Sequence, residues 1–433
     1  MLEKQAPIKT ELEELESAIV KASLDITKDR PFKFVHGPQN YFLPSMQDAC
    51  ELLGVKHNAT TMLDKLEEAG VKRPNISSSA LHEIGRNGVG KSVFKRFMSV
   101  FTQPIATSLM SPMLRFLLGK DEELERASRV SINALQWLSF SKSLNAQSSN
   151  NFRCLSSFIV ERSNKQVELL ERVKAASAGG NSNQSLSSSW GSWVTPLYLE
   201  HSLINEEVLN FIGELVKEEL DTSQLDKHQT SVLVRCMFDI EYDFYLNLLA
   251  SYEVDYVVSH GEEPKTDKRW LISKVLTRYT HKDNSHTSTR CLVAVLLEWF
   301  KEHDIDFTFT DLASCVPYQA SEGTTDEVDV LIAQKNKLHK WLRSIDLPSH
   351  SALNDFLEVI AAKTGTTIDY GLGDVFSSVF AIDRALIVKS SLVNKEFGDE
   401  VDVFSIWKQC FGAYSEYYKF HCERYEGIVD NSL

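Results

Sequence analysis

The chain is expected to fold as a mainly α, multi-domain helical bundle. Three observations carry that expectation. Apolar residues recur at helical spacing over most of the length, strand-like runs are few and never alternate with helices, and 433 residues exceed one ordinary domain. A composition of 43% hydrophobic and 24% charged residues supplies material for packed cores and excludes a disordered chain.

The first helix is expected within Thr10–Leu24, where Leu12, Leu15 and Ile19 share a side. Pro31 and His36-Gly37-Pro38 then break the chain. Helices follow at 45–54, 59–69, 91–101, 105–118, 121–140 and 152–176, the last carried by Val167, Leu170 and Val173. Two polar stretches interrupt this half, Ser141–Asn151 and Ala175–Ser192. The second has the Ser/Gly/Asn composition of a linker, which places a boundary at 178–192, between an N-terminal helical domain (1–177) and a C-terminal one (193–433). A long surface loop is the alternative.

In the second half, helices are expected at 204–220, 222–252, 267–280, 288–303, 308–316, 327–344 and 349–363. Short strands are expected at Val254–Val258, Phe307–Phe309 and Ala385–Val388. The aromatic end, Phe397–Tyr425, holds Trp407, Phe411, Tyr414, Tyr417, Tyr418, Phe420 and Tyr425; at helical spacing these read as core rather than as a base-stacking platform.

Charge and cysteine usage narrow the function. Acids outnumber bases 60 to 46, and the formal net charge of −14 excludes a uniformly basic nucleic-acid coat while leaving room for local basic faces. The seven cysteines are irregularly spaced and include no CxxC, so reduced thiols in a cytoplasmic setting are expected rather than a disulfide framework or structural zinc. The charged N-terminus lacks the apolar core of a signal peptide, and no apolar run is long enough to span a membrane. No HExxH, GxSxG or cysteine-nucleophile signature occurs, so neither a catalytic set, a metal site nor a cofactor is expected.

Three constellations remain. In Ser45–Gly70, a helix carrying Ala49, Cys50, Leu52 and Leu53 would end at Gly54, and a second helix would turn Met62, Leu63 and Leu66 inward. A small residue four positions before a turn glycine resembles the helix-turn-helix, whose second helix enters the DNA major groove. The resemblance implies that Lys56, His57, Asn58 and Thr61 face DNA; an ordinary αα-corner is the alternative. The next stretch, Ala69–Phe97, sets Lys72, Arg73, Arg86, Lys91, Lys95 and Arg96 against Glu83 alone, a local net of +5 suited to phosphate contact.

Within that stretch, Gly85-Arg86-Asn87-Gly88-Val89-Gly90-Lys91-Ser92 matches the phosphate-loop pattern GxxxxGK[ST]. On that reading Gly85 and Gly90 shape the loop, Lys91 reaches phosphate oxygens and Ser92 ligates magnesium. A phosphate loop follows a buried strand, whereas Ser77–Ile84 reads as a capped helical turn. Nucleotide binding is therefore the alternative, and a glycine-rich turn opening a helix the main reading.

The third constellation is Phe307–Ala362. Here Leu338, Trp341 and Leu342 would face inward, Pro348 and Ser349 would start a closing helix, and Leu353, Phe356 and Leu357 would pack back. With Thr310, Leu312 and Ala313 ahead of them, these residues resemble lambda-repressor-like DNA-binding domains. The resemblance implies DNA-facing Gln334, Lys335, Asn336, Lys337 and Lys340; a helical hairpin with a Pro-Ser N-cap is the alternative. A neighbouring basic run, Lys265–Arg290, adds Lys268, Arg269, Lys274 and Arg278 and nets +5.

Together these features predict a non-enzymatic DNA-associated or assembly protein of a bacterium or mobile element, with DNA and other protein subunits as partners. A helical scaffold without DNA contact is the further alternative.

Overall fold

The computed structural model describes residues 42–52, 63–64, 67, 70–81, 92–93, 96, 99–100, 122–147, 152–178, 193–218, 225–266, 269–281, 287–318, 327–366, 370–398 and 401–430. The helices expected at 10–24 and 105–118, the turn and most of the second helix of 45–70, the linker at 179–192 and the glycine loop at 82–91 lie outside them. The described residues contain fifteen helices and no strand. They fall into two compact units, the first drawing on Met1–Ala49, Lys56–Leu220 and Ile240–Leu248, the second on Cys50–Val55, Asp221–Asp239 and Leu249–Leu433. Residues 193–220, which follow the Ser/Gly/Asn stretch, therefore group with the first unit.

The helices are α1 (Met46–Leu52), α2 (Glu122–Val130), α3 (Ile132–Gln147), α4 (Arg153–Ala178), α5 (Thr195–His201), α6 (Glu206–Glu218), α7 (Lys227–Ser259), α8 (Leu271–His281), α9 (Ser288–Glu302), α10 (Phe309–Ala313), α11 (Glu327–Leu342), α12 (His350–Thr364), α13 (Tyr370–Phe397), α14 (Val403–Gly412) and α15 (Tyr414–Asp430).

In the first unit the chain breaks between α2 and α3, where one continuous helix was expected at 121–140. Ser131 causes the break: its hydroxyl accepts from the Ala134 N–H at 3.1 Å and so caps α3. α3 and α4 pack as a pair through small buried hydroxyls, Ser141 to Ser156 at 2.5 Å, with Asn145 donating to Ser156 at 2.7 Å. The core around them is aromatic. Trp137 and Phe158 both pack on Phe244, and Phe42 packs edge-on against Tyr198. Within this core lies an ion pair: Arg162 donates to Asp243 at 2.5 Å, both side chains are essentially inaccessible, and the guanidinium sits 4.3 Å from the Phe42 ring centroid.

In the second unit α7 starts at a capping box, with Asp226 accepting from Gln229 N–H and the Gln229 side chain accepting from Asp226 N–H. The three expected strands are corrected here. Val254–Val258 belongs to α7 and Ala385–Val388 to α13, while Phe307–Phe309 is a short approach that becomes α10 at Phe309. β-branched runs favour strands only weakly, and packing of the whole helix overrides them: Val254 and Val257 are fully buried on one side of α7, and Val375, Phe376, Val379, Phe380 and Leu386 are buried along α13, although Ile387 and Val388 of the run itself are exposed. α13 approaches α12 closely at Gly373, where a Cβ would stand 3.0 Å from the Asn354 side-chain oxygen.

Most of the aromatic end is core, as expected, while Phe420 and Tyr425 are only half-buried. Trp407 is fully buried against Phe238 and Phe411, and Tyr414, Tyr417 and Tyr418 are buried as well. The closing helix of 307–362 also forms as expected, with Ser349 accepting from the Ala352 N–H and Leu353, Phe356 and Leu357 buried beside Trp341.

Two buried carboxylates position α8 and α9. Glu253 of α7 accepts from the Ser273 N–H at 3.0 Å, the Ser273 hydroxyl at 2.7 Å and the Tyr414 hydroxyl at 2.8 Å. Asp383 of α13 accepts from the Ser288 and Thr289 N–H groups, each at 2.9 Å. Both satisfy helix-start amides that no intrahelical carbonyl can reach.

Burial holds the Glu253 carboxyl above its ordinary value, against the opposing pull of its Ser273 and Tyr414 hydrogen bonds. A carboxyl raised in the folded state favours folding fully below its unfolded value and loses that contribution as pH climbs towards the raised one. Unfolding of Glu253→Gln by urea across that range should therefore show a flatter decline of stability with pH than the parent. An equal decline in both proteins would contradict this assignment.

Candidate functional site

The two basic stretches differ in how their cations are used. In the first, Arg73 is paired with Asp64 and Glu67, and Arg96 donates to the Asn75 carbonyl at 2.9 Å and the Ser92 carbonyl at 3.3 Å. Lys72 is exposed, and Ser92 is helical and exposed. Lys56, Asn58, Thr61, Gly85, Arg86, Gly90, Lys91 and Lys95 lie outside the described residues. Ser78–Leu81 form a helical turn, with Ser77 accepting from the Ala80 N–H.

In the segment 307–362, the Gln334 amide donates to the Ser314 and Val316 carbonyls, and the Lys337 ammonium donates to the Pro317 carbonyl at 2.8 Å. Both side chains thereby satisfy the chain that leaves α10. Lys335 is half-buried, and Asn336 and Lys340 are exposed.

The second stretch lines a cleft. Arg269 precedes α8, and Lys274, Thr277, Arg278 and His281 follow on one side of that helix; Val295, Glu298, Trp299 and Glu302 come from one side of α9. The cleft measures about 450 Å³. Arg278 is committed within it, donating to Glu298 at 2.6 Å. Arg269 and Lys274 are exposed and enter no ion pair among the described residues. Trp299 is 38% exposed, whereas Leu292, Val295, Leu296 and Phe300 on the same helix are buried. The His303 imidazole stacks on the indole at a centroid distance of 4.3 Å. Lys268 lies outside the described residues.

The basic half of this cleft was legible in the run Lys265–Arg290. Its acidic and aromatic half was not, because α9 joins it only through tertiary pairing. The spacing of Val295, Trp299 and Glu302 at helical intervals was the one available signal.

Chemically the cleft can hold an anion at Arg269 and Lys274 and a flat ring at Trp299. Among the described residues no cluster of His, Cys, Asp and Glu is arranged to hold a metal, and no helix is long and apolar enough to cross a membrane. All seven cysteines are described and none forms a disulfide; burial raises Cys236 and Cys422 to about 11, so both stay protonated near neutral pH. No family model matches the chain, and no curated protein or solved structure matches it either.

Proposed function

We propose that the chain is a non-enzymatic, DNA-associated helical protein that grips nucleic acid at the cleft between α8 and α9. The observation that carries this reading is the pair Arg269 and Lys274, exposed and uncommitted at the mouth of a cleft with an exposed tryptophan, in a chain of net charge −14. Exposed cations that no carboxylate of the described residues pairs are free to meet an external anion, and backbone phosphate is the anion that basic clefts with aromatic walls accept. The first basic stretch supports it less, since Arg73 and Arg96 already have partners. The helical turn at 78–81 weighs against a nucleotide loop at Gly85–Ser92, which would follow a strand. The bacterial or mobile-element origin in this reading rests on the helix-turn-helix resemblances and on the lack of eukaryotic targeting features in the sequence.

Binding of labelled DNA to the full chain should be detectable at low salt and should weaken steeply as salt rises. Lys274→Glu and Arg269→Glu should each reduce affinity and flatten the dependence of log K on log salt by about one contact. Absence of binding at low salt would overturn the reading.

A second reading is favoured by the exposed apolar residues Ile387, Val388 and Leu392 on α13 and Val328 and Ile332 on α11. Such stripes suit a partner helix, which makes the protein a scaffold or subunit of a larger complex. Retention of a stable protein partner by the parent chain, and its loss on Val388→Glu with Leu392→Glu, would support that reading; equal retention by both would count against it.

A further inference from the structure

We infer that the cleft between α8 and α9 receives an unpaired nucleobase, with guanine preferred over thymine. The recognised nucleic acid is then single-stranded or carries a base turned out of the stack. The inference rests on the nucleic-acid reading of the same cleft and deepens it.

A site built only to hold duplex phosphates has no use for the wall that α9 supplies. That wall holds Trp299, at 38% exposure, and Val295 beneath the rim. The indole keeps 38% exposure even with the His303 imidazole stacked on it, and a base laid against its exposed part removes apolar surface from water. Every base has such a face, so stacking alone selects for an unpaired base without reading its identity. In a duplex both faces are already occupied by neighbouring pairs.

The acids in the same wall point the same way. Glu298 and Glu302 line the cleft, and Glu302, which no cation of the described residues neutralises, would repel a phosphate placed beside it. Glu298 is tied to Arg278 at 2.6 Å, whereas Glu302 has no ion-pair partner among the described residues. A carboxylate only accepts hydrogen bonds, so it suits a base edge that only donates. Guanine has one: its N1–H and N2–H₂ groups lie side by side and can meet the two oxygens of one carboxylate. Thymine offers a single N3–H between two carbonyl oxygens, which the carboxylate repels. In a paired guanine those donors are taken by cytosine, so Glu302 can read the base only when it is unpaired. Arg269 and Lys274 then hold the flanking phosphates. The cleft volume of about 450 Å³ lies within the range of ligand sites.

The test uses the full chain with three labelled probes: a short oligothymidylate, the same strand with one central guanine, and a duplex of the guanine strand. The guanine strand should bind best, by about tenfold over oligothymidylate, and the duplex worst. Trp299→Ala should weaken both single strands by about tenfold or more, as removal of a stacking aromatic does. Glu302→Gln should erase the preference for guanine while leaving oligothymidylate binding at least as strong. Glu302 is exposed, so its variant should match the parent in far-ultraviolet circular dichroism and unfolding midpoint; Trp299 also packs on Phe300 and His303, so for Trp299→Ala a matching circular dichroism spectrum certifies the fold. Equal binding of duplex and single strands, unchanged by Trp299→Ala, would overturn this inference and leave the proposed function standing. Failure of every probe to bind at low salt would overturn both.

Discussion

Asp383→Ala should lower the stability of the second unit by about 3 kcal/mol or more. Its carboxylate, 1% exposed, is the acceptor for the Ser288 and Thr289 N–H groups. Removing it leaves both donors buried without a partner, at about 1–3 kcal/mol each. The remaining bonds at the start of α9 cannot take over. Thr287 already accepts from the Arg290 N–H, and its hydroxyl donates to the Leu342 carbonyl, while the Ser288 hydroxyl donates to the Val379 carbonyl. Asp383→Asn keeps one acceptor and turns an amide N–H₂ towards a donor, so an intermediate loss is expected. Urea unfolding measures the loss, and hydrogen exchange locates it, because amides 288 and 289 should lose protection first. Alanine at 383 with unchanged stability and unchanged exchange would show that the cap is not what holds α9.

Arg162→Ala should destabilise the first unit by about 3–5 kcal/mol. Arg162 and Asp243 are 1% and 0% exposed, and the guanidinium lies between the rings of Phe42 and Phe158. Truncating the arginine takes the cation away from a buried carboxylate, and Asn247, donating at 3.3 Å, supplies no charge in its place. Replacing both partners by apolar residues of similar volume, Arg162→Met with Asp243→Leu, should cost far less than the sum of the single changes, since neither charge is then left alone. A double-mutant cycle by denaturant unfolding reads this coupling directly. Additive losses would mean that the pair contributes only packing.

Helices with local signals were the legible ones. Ser349 after Pro348 marked the start of α12, and the spacing of Leu353, Phe356 and Leu357 marked its buried side. The aromatic end was legible for the same reason, with Trp407 and Phe411 one turn apart and both buried. α13 was not, because its apolar Ala385–Val388 run ends in the β-branched pair Ile387 and Val388 and its glycines, 371 and 373, lie near its start. Burial by α9 and α12 makes it helical, and neither neighbour can be read from the run itself. The same limit hid both carboxylate caps. Nothing in the sequence around Glu253 or Asp383 marks either as a cap, and only the fold shows that each ends at a distant helix start. Half of the cleft was readable as a run of basic residues; the Trp299 and Glu302 wall depended on which helix came to face it.

The most direct test of the central claim, that nucleic acid lies in the cleft between α8 and α9, is ultraviolet cross-linking of the full chain to a guanine-containing single strand, followed by peptide mapping. The account predicts adducts on peptides covering 269–281 and 295–302, diminished by Trp299→Ala. Adducts confined to other segments, such as 72–96, with none in 269–302, would contradict it.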